Sequence, residues 1–216
     1  MPEDSLSSHP ISGKFGLSTA YLAPIAYYKI LANAEEVFLE QQESYVKQTY
    51  RNRCTIATAN GLMNLTIPIE KSEFGKNNIR DVKIADFKNW QQQHWRSIEA
   101  AYNSSPFFEY YVDDLVPFYE KNQQFLWDFN LELQSVILEL MDIDVNLSLT
   151  ADYQHQFTDD TIDLRHRISP KGSPYIENLK PYYQVFEHKL GFQANLSIID
   201  LLFNMGNESI LILKDH

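Results

Sequence analysis

The stretch from Phe15 to Glu40 limits what this chain can fold into more than any other. Phe15-Gly-Leu-Ser-Thr-Ala-Tyr-Leu is an apolar run of strand length, and Pro24 suits the first turn of a helix through Ala32. Val37-Phe-Leu-Glu then reads as a second short strand. Strand, short helix and strand make a βαβ unit, which implies parallel pairing with a right-handed crossover.

Beyond it, residues 45–84 are strand-like but broken, with runs at 54–57, 65–69 and 82–84 and a tight-turn signal at Asn60-Gly61. Residues 70–80 are polar and predict an exposed loop. From Asn89 the chain turns helical. Gln91, Trp95, Ile98 and Tyr102 fall on one stripe, and Trp95 on that stripe is expected to be largely buried. A second helix is expected over 106–115 and a long one over 117–140. Val145-Asn-Leu-Ser-Leu alternates as a strand, residues 165–185 form a loop, and a helix at 197–204 precedes a last strand at 210–213. The fold class is therefore α/β: a parallel or mixed sheet started by the N-terminal βαβ unit, with a largely helical second half. Residues 1–13 read as a flexible leader, and 14–216 as a single domain.

Thirteen Tyr, 13 Phe and 3 Trp among 216 residues exclude the disordered class. One cysteine, Cys54, rules out an intramolecular disulfide and fits a reducing compartment. With no signal-peptide pattern and no long apolar span, a cytoplasmic protein without membrane insertion is expected. A formal charge of −11 argues against nucleic acid as a partner. Neither Gly-rich nucleotide motif occurs, and there is no G-x-S-x-G, paired-Cys or H-E-x-x-H signature, so no cofactor is indicated.

Against that acidic background, the stretch between Ser44 and Gly61 carries three cations, Lys47, Arg51 and Arg53, and no acid. In an extended strand all three point to one face. Flanked by Tyr45 and Tyr50, such a face suits phosphate or carboxylate, which arginine grips through two parallel bonds. The plainer alternative is a surface strand whose cations pair with abundant carboxylates. His94, one turn from Trp90 and Ile98, suits proton transfer or a structural hydrogen bond. Asp159, Asp160, Asp163 and His166 have helical spacing for a hard metal, a pattern that any solvated acidic helix also shows. Cys54 is most simply a buried structural thiol.

Taken in order, Tyr21-Leu-Ala-Pro-Ile-Ala-Tyr-Tyr-Lys-Ile, Tyr45-x-Lys-x-x-Tyr-Arg-Asn-Arg, Asn60-Gly61 with Leu65-Thr-Ile-Pro, and Trp90-x-x-x-His-Trp with Tyr102 and Phe107-Phe108 resemble the WbqC-like family over roughly residues 15–120. The resemblance implies a part in bacterial surface-polysaccharide (O-antigen type) precursor synthesis. The substrate would be a small anionic, phosphorylated or nucleotide-linked sugar precursor, and acyl or aminoacyl transfer to it is one reaction this allows. Lys47, Arg51 and Arg53 would bind the anion, Tyr21, Tyr45 and Asn52 would orient the substrate, and His94 would move the proton. The alternative is a noncatalytic accessory protein using the same pocket. One departure stands out: the family opening carries a His-Gln pair, whereas Ser18, Thr19 and Ala20 occupy the corresponding region here.

Overall fold

The computed structural model describes residues 11–71, 77–157, 160–171, 175–176 and 179–214. Most of the expected leader lies outside them. Strand β1 (Lys14–Ser18) is buried from Phe15 onward, as a strand covered on both faces must be. Helix α1 (Ile25–Asn33) is apolar nearly all round and buries its first seven residues. Its N-terminal amides are satisfied from far away: Ile25 N donates to Leu196 O at 3.0 Å and Ala26 N to Asn195 Oδ1 at 2.9 Å. Strand β2 (Glu36–Glu40) then pairs parallel with β1, Lys14 opposite Glu36 and Ser18 opposite Glu40. The βαβ unit forms as its sequence predicts.

The next two strands leave this sheet. β3 (Arg53–Thr58) and β4 (Gly61–Thr66) make an antiparallel hairpin around Asn60-Gly61, where Gly61 takes a positive φ of 113°. Four helices follow: α2 (Trp90–Tyr102), α3 (Phe108–Leu115), α4 (Pro117–Glu120) and α5 (Leu126–Leu140). The helix expected over 117–140 is therefore split. Residues 121–125 run extended because their backbone pairs elsewhere: Ile84 N donates to Gln124 O and Leu126 N to Val82 O, both at 2.9 Å. On α2 the buried face carries Trp90, His94, Ile98, Ala101 and Tyr102. It is rotated from the expected stripe, so Trp95 is half-buried, stacked on Phe108 and leaning on Tyr119.

Two short strands complete the sheet. β5 (Leu147–Leu149) adds beside β2, and β6 (Thr161–Asp163) adds on the far side of β1. The order is β5-β2-β1-β6, parallel throughout among the described residues. The acidic segment at 160–166 is thus partly strand instead of helix. Helices α6 (Glu187–Leu190), α7 (Ile198–Met205) and α8 (Ser209–Leu213) follow. α8 replaces the expected last strand: Ser209–Leu213 packs on α1, where Lys29 and Asn33 donate to the Leu213 carbonyl. A short apolar run carries too little periodicity to separate strand from helix. No described helix is long and apolar enough to cross a membrane.

The helical half is organised around a buried acid. Asp200, 1% exposed in the first turn of α7, accepts from Tyr182 at 2.7 Å, Tyr102 at 3.0 Å and Gln184 at 3.1 Å. Burial raises its pKa, and these hydrogen bonds only partly oppose the rise. The folded chain therefore keeps the Asp200 proton to higher pH than the unfolded chain, whose carboxyl titrates near about 3.9. Stability held by that proton is lost as pH rises above about 4. Urea unfolding of the parent should show this decline relative to Asp200→Asn, which lacks the titration; parallel pH profiles would contradict it.

Candidate functional site

Because the four strands are parallel, their carboxyl ends share one edge, and the residues just past each strand meet there. Ser18 ends β1, Glu40 ends β2, Thr150 follows β5, and Leu164 and Arg165 follow β6. The chain crosses from one side of β1 to the other between β5 and β6. The crevice between β1 and β6 is consequently the switch point of the sheet, where ligands of open α/β folds bind.

Buried charge fills this edge. Glu40, fully buried, has four donors: Gln42 N at 2.8 Å, Thr150 Oγ1 at 2.7 Å, Gln154 N at 3.0 Å and Arg165 Nη1 at 3.1 Å. Arg165 also makes a fork to Asp163, with Nε to Oδ1 at 2.9 Å and Nη2 to Oδ2 at 2.6 Å. Burial pushes Asp163 up, but the Arg165 hydrogen bonds and charge outweigh it and hold the carboxyl below its usual value. The Arg165 guanidinium lies 4.7 Å from the Phe157 ring centre and 5.4 Å from that of Tyr153. Gly16 on β1 admits the Phe157 ring, since a Cβ there would come within 2.2 Å of it.

Arg51 forms the second pair. It is 2% exposed, donates Nε to Glu43 Oε1 at 2.8 Å and Nη2 to Glu43 Oε2 and to Ser18 Oγ at 2.7 Å. Its own carbonyl accepts from Asn130 Nδ2 of α5 at 2.7 Å. Between these pairs lies a narrow cavity of about 10 Å³, walled by Leu17 to Ala20, Tyr50 and Arg51 on one side and by Leu164, Arg165 and Ile168 on the other. That is room for about one water. Thr19 is 1% exposed in this wall, and its hydroxyl has no hydrogen-bond partner.

The expected site residues separate here. Residues 47–52 are turn and loop instead of strand, with Gln48 at a φ of 62°, so Lys47, Arg51 and Arg53 do not share one strand face. Lys47 is exposed on the rim and Arg51 is committed to Glu43. Arg53 opens β3, and its Nε is buried without a partner. Among the described residues neither Lys47 nor Arg53 forms an ion pair. Tyr45 stands beside both arginines: burial raises its pKa, and the charges of Arg53 and Arg51 oppose the rise. Asn52 points inward, its Nδ2 donating to Ile67 O at 2.8 Å.

Tyr21 and His94 form a different cluster. The Tyr21 hydroxyl lies 2.9 Å from both His94 Nδ1 and the Tyr119 hydroxyl, all of them buried. Burial lowers the His94 pKa to about 4, against a hydrogen bond to the Thr66 backbone. His94 does not line the cleft, so the cationic segment and this imidazole do not converge on one pocket. Cys54 is buried, and burial pushes its thiol pKa up, which leaves it an inert packing group. Of the acidic cluster, Asp159 lies outside the described residues, Asp160 meets Lys14 at 3.2 Å, and Asp163 serves Arg165. No described group of three His, Cys, Asp or Glu side chains is placed to hold a metal. Sequence reasoning missed Glu40, Glu43 and Arg165, whose only signal was their position at or shortly after the end of a strand.

Two measurements follow from this geometry. Arg51→Ala leaves Glu43 buried and unpaired and should cost about 3–5 kcal/mol, whereas Arg51→Met with Glu43→Leu should recover most of it. Recovery is read from urea midpoints, and an Arg51→Ala variant as stable as the parent would deny the pair its structural role. For His94 the folded pKa lies below the unfolded value, so on acidification the unfolded chain takes the proton first. Stability should fall as pH drops from 6.5 to about 4, by about 3 kcal/mol at roughly 1.36 kcal/mol per unit. His94→Gln should flatten that slope, and an unchanged slope would assign it to other groups.

Comparison with known proteins places the chain. The model of the WbqC-like protein family matches residues 19–177, well over half of it. A Mycobacterium tuberculosis (strain ATCC 25618 / H37Rv) protein, described as uncharacterized protein Rv1507c, is 25% identical over 216 aligned residues, covering 88% of this chain and 92% of its own. No solved structure matches.

Proposed function

The chain belongs to the WbqC-like protein family, and from that premise we propose that it binds a small phosphorylated or nucleotide-linked sugar precursor at the carboxyl edge of its parallel sheet, in the service of surface-polysaccharide synthesis. The observation that carries this is Thr19, which lines the switch-point cleft and whose buried hydroxyl has no hydrogen-bond partner within the protein. An unsatisfied buried donor costs about 1–3 kcal/mol, a penalty that a ligand oxygen at that position would remove. Thr19 also lies in the region, Ser18 to Ala20, where the family resemblance expects a His-Gln pair that this chain lacks.

At its present width the cleft has room for a single ligand oxygen, about the size of one water. The anionic end of the ligand would reach Thr19, and the remainder would lie over the rim loops at 44–50 and 165–171. Those loops touch through Lys171 Nζ and Gln48 Oε1. Charge for the anion would come from Arg53 and Lys47, which form no ion pair among the described residues, with Tyr45 beside Arg53; Arg51 would serve by holding Ser18 and Glu43 in place. Acyl or aminoacyl transfer to the bound precursor is the reaction this reading extends to. One observation favours the noncatalytic alternative: His94, buried and uncharged at neutral pH, stands apart from the cleft. Binding is common to both.

Calorimetric titration of pyrophosphate and a nucleotide-sugar into the parent, Thr19→Val and Arg53→Ala tests it. Both variants should bind at least about tenfold more weakly, the equivalent of one charge-assisted hydrogen bond, while Thr19→Val melts no earlier than the parent. Equal affinities across the three proteins, or no binding to the parent, would overturn the proposal.

A further inference from the structure

Gln42 lies between the two buried glutamates but opens on a different concavity, a groove of about 340 Å³ walled by Gln42, Asn78, Arg80, Asp81, Phe125 and Asp128. All six side chains end in planar groups: two amides, a guanidinium, two carboxylates and a ring. The amides are held in place, Asn78 Nδ2 donating to Gln42 Oε1 at 3.2 Å and Asn78 Oδ1 accepting from Arg80 N at 2.9 Å. Arg80, Asp81 and Asp128 are exposed at the groove and, among the described residues, form no ion pair.

We propose that this groove binds one pyranose ring, an amino sugar in preference to an acidic one. Neighbouring sugar hydroxyls are each donor and acceptor at a spacing that suits the paired atoms of carboxylate, amide and guanidinium. The apolar C–H face of the ring fits the half-buried Phe125. A volume near the lower end of the usual range for small-molecule sites suits one monosaccharide better than a nucleotide. Two carboxylates against one guanidinium leave the groove net negative, which draws an ammonium and repels a carboxylate. This goes beyond the precursor reading of the cleft and does not depend on it, since the two sites share no lining residue.

The side-chain amides of Gln42 and Asn78 report occupancy by NMR as glucosamine, N-acetylglucosamine, glucose or glucuronate is added to the whole chain. Saturable shifts at both amides are expected with glucosamine, and roughly fivefold weaker binding of glucuronate, the scale of an exposed charge pair. Phe125→Leu keeps apolar volume but removes the ring face, and should weaken every sugar. Asp128→Asn should weaken glucosamine selectively, and Asp81→Asn repeats that test if Asp128→Asn melts early. No saturable shift with any of the four sugars, glucuronate binding as tightly as glucosamine, or unchanged affinities in all the variants would refute the site. Pyrophosphate run in parallel reports on the Thr19 cleft and its neighbouring cations, so either site can fail without the other.

Discussion

A carboxylate removed from water has to be answered with donors and positive charge where it lies. Glu40 and Glu43 impose that requirement on the carboxyl edge of the sheet. Glu40 takes Arg165 from beyond β6 and Thr150 from beyond β5, and Glu43 takes Arg51 from the loop before β3. Three remote segments are thus tied to β2 and β1 by charge. The arginines are in turn held by Asp163, Ser18, two aromatic rings and, through the main chain, by Asn130 of α5. What remains beside Thr19 is a small cavity framed by these two pairs and lined by apolar as well as polar side chains.

The βαβ unit, the hairpin and most helices could be read from the sequence because each is governed by local signals: an apolar run, Pro24, Asn60-Gly61, a repeat of three and four. The errors fall where distant partners decide. Residues 47–52 turn because Arg51 must reach Glu43, and no alternation rule contains that demand. Residues 121–125 leave the helical path because 82–84 supply hydrogen bonds. β6 is three residues long and exists because β1 offers it an edge. On α2 the stripe chosen from hydrophobicity passed through Trp95, whereas the buried face passes through Trp90 and His94. A histidine counts as polar in the pattern, yet with Tyr21 and the Thr66 backbone as partners it packs as core.

The candidate site was legible in kind but not in membership. The acid-free basic segment runs past the cleft, and Arg51 lines it. The segment's sequence could not show that Glu43, eight residues earlier, would claim the guanidinium, whereas Arg53 and Lys47 form no ion pair among the described residues. The Ser18–Ala20 region, noticed only for a missing histidine, proved to be the cleft wall.

Strand β1 also carries a consequence for how the chain is made. Its partner on one side arrives almost at once, through α1. On the other side it waits for β6, and the edge closes only through contacts such as Ser18 with Arg165, 147 residues apart. During synthesis β1 therefore spends most of the chain's emergence as an unpaired, apolar edge, open to pairing with the same strand of another nascent copy. Such distant closure is slow on the scale of local helix formation. The Glu40–Arg165 pair forms only when it is complete, so the charge network that shapes the cleft is also a late checkpoint on folding.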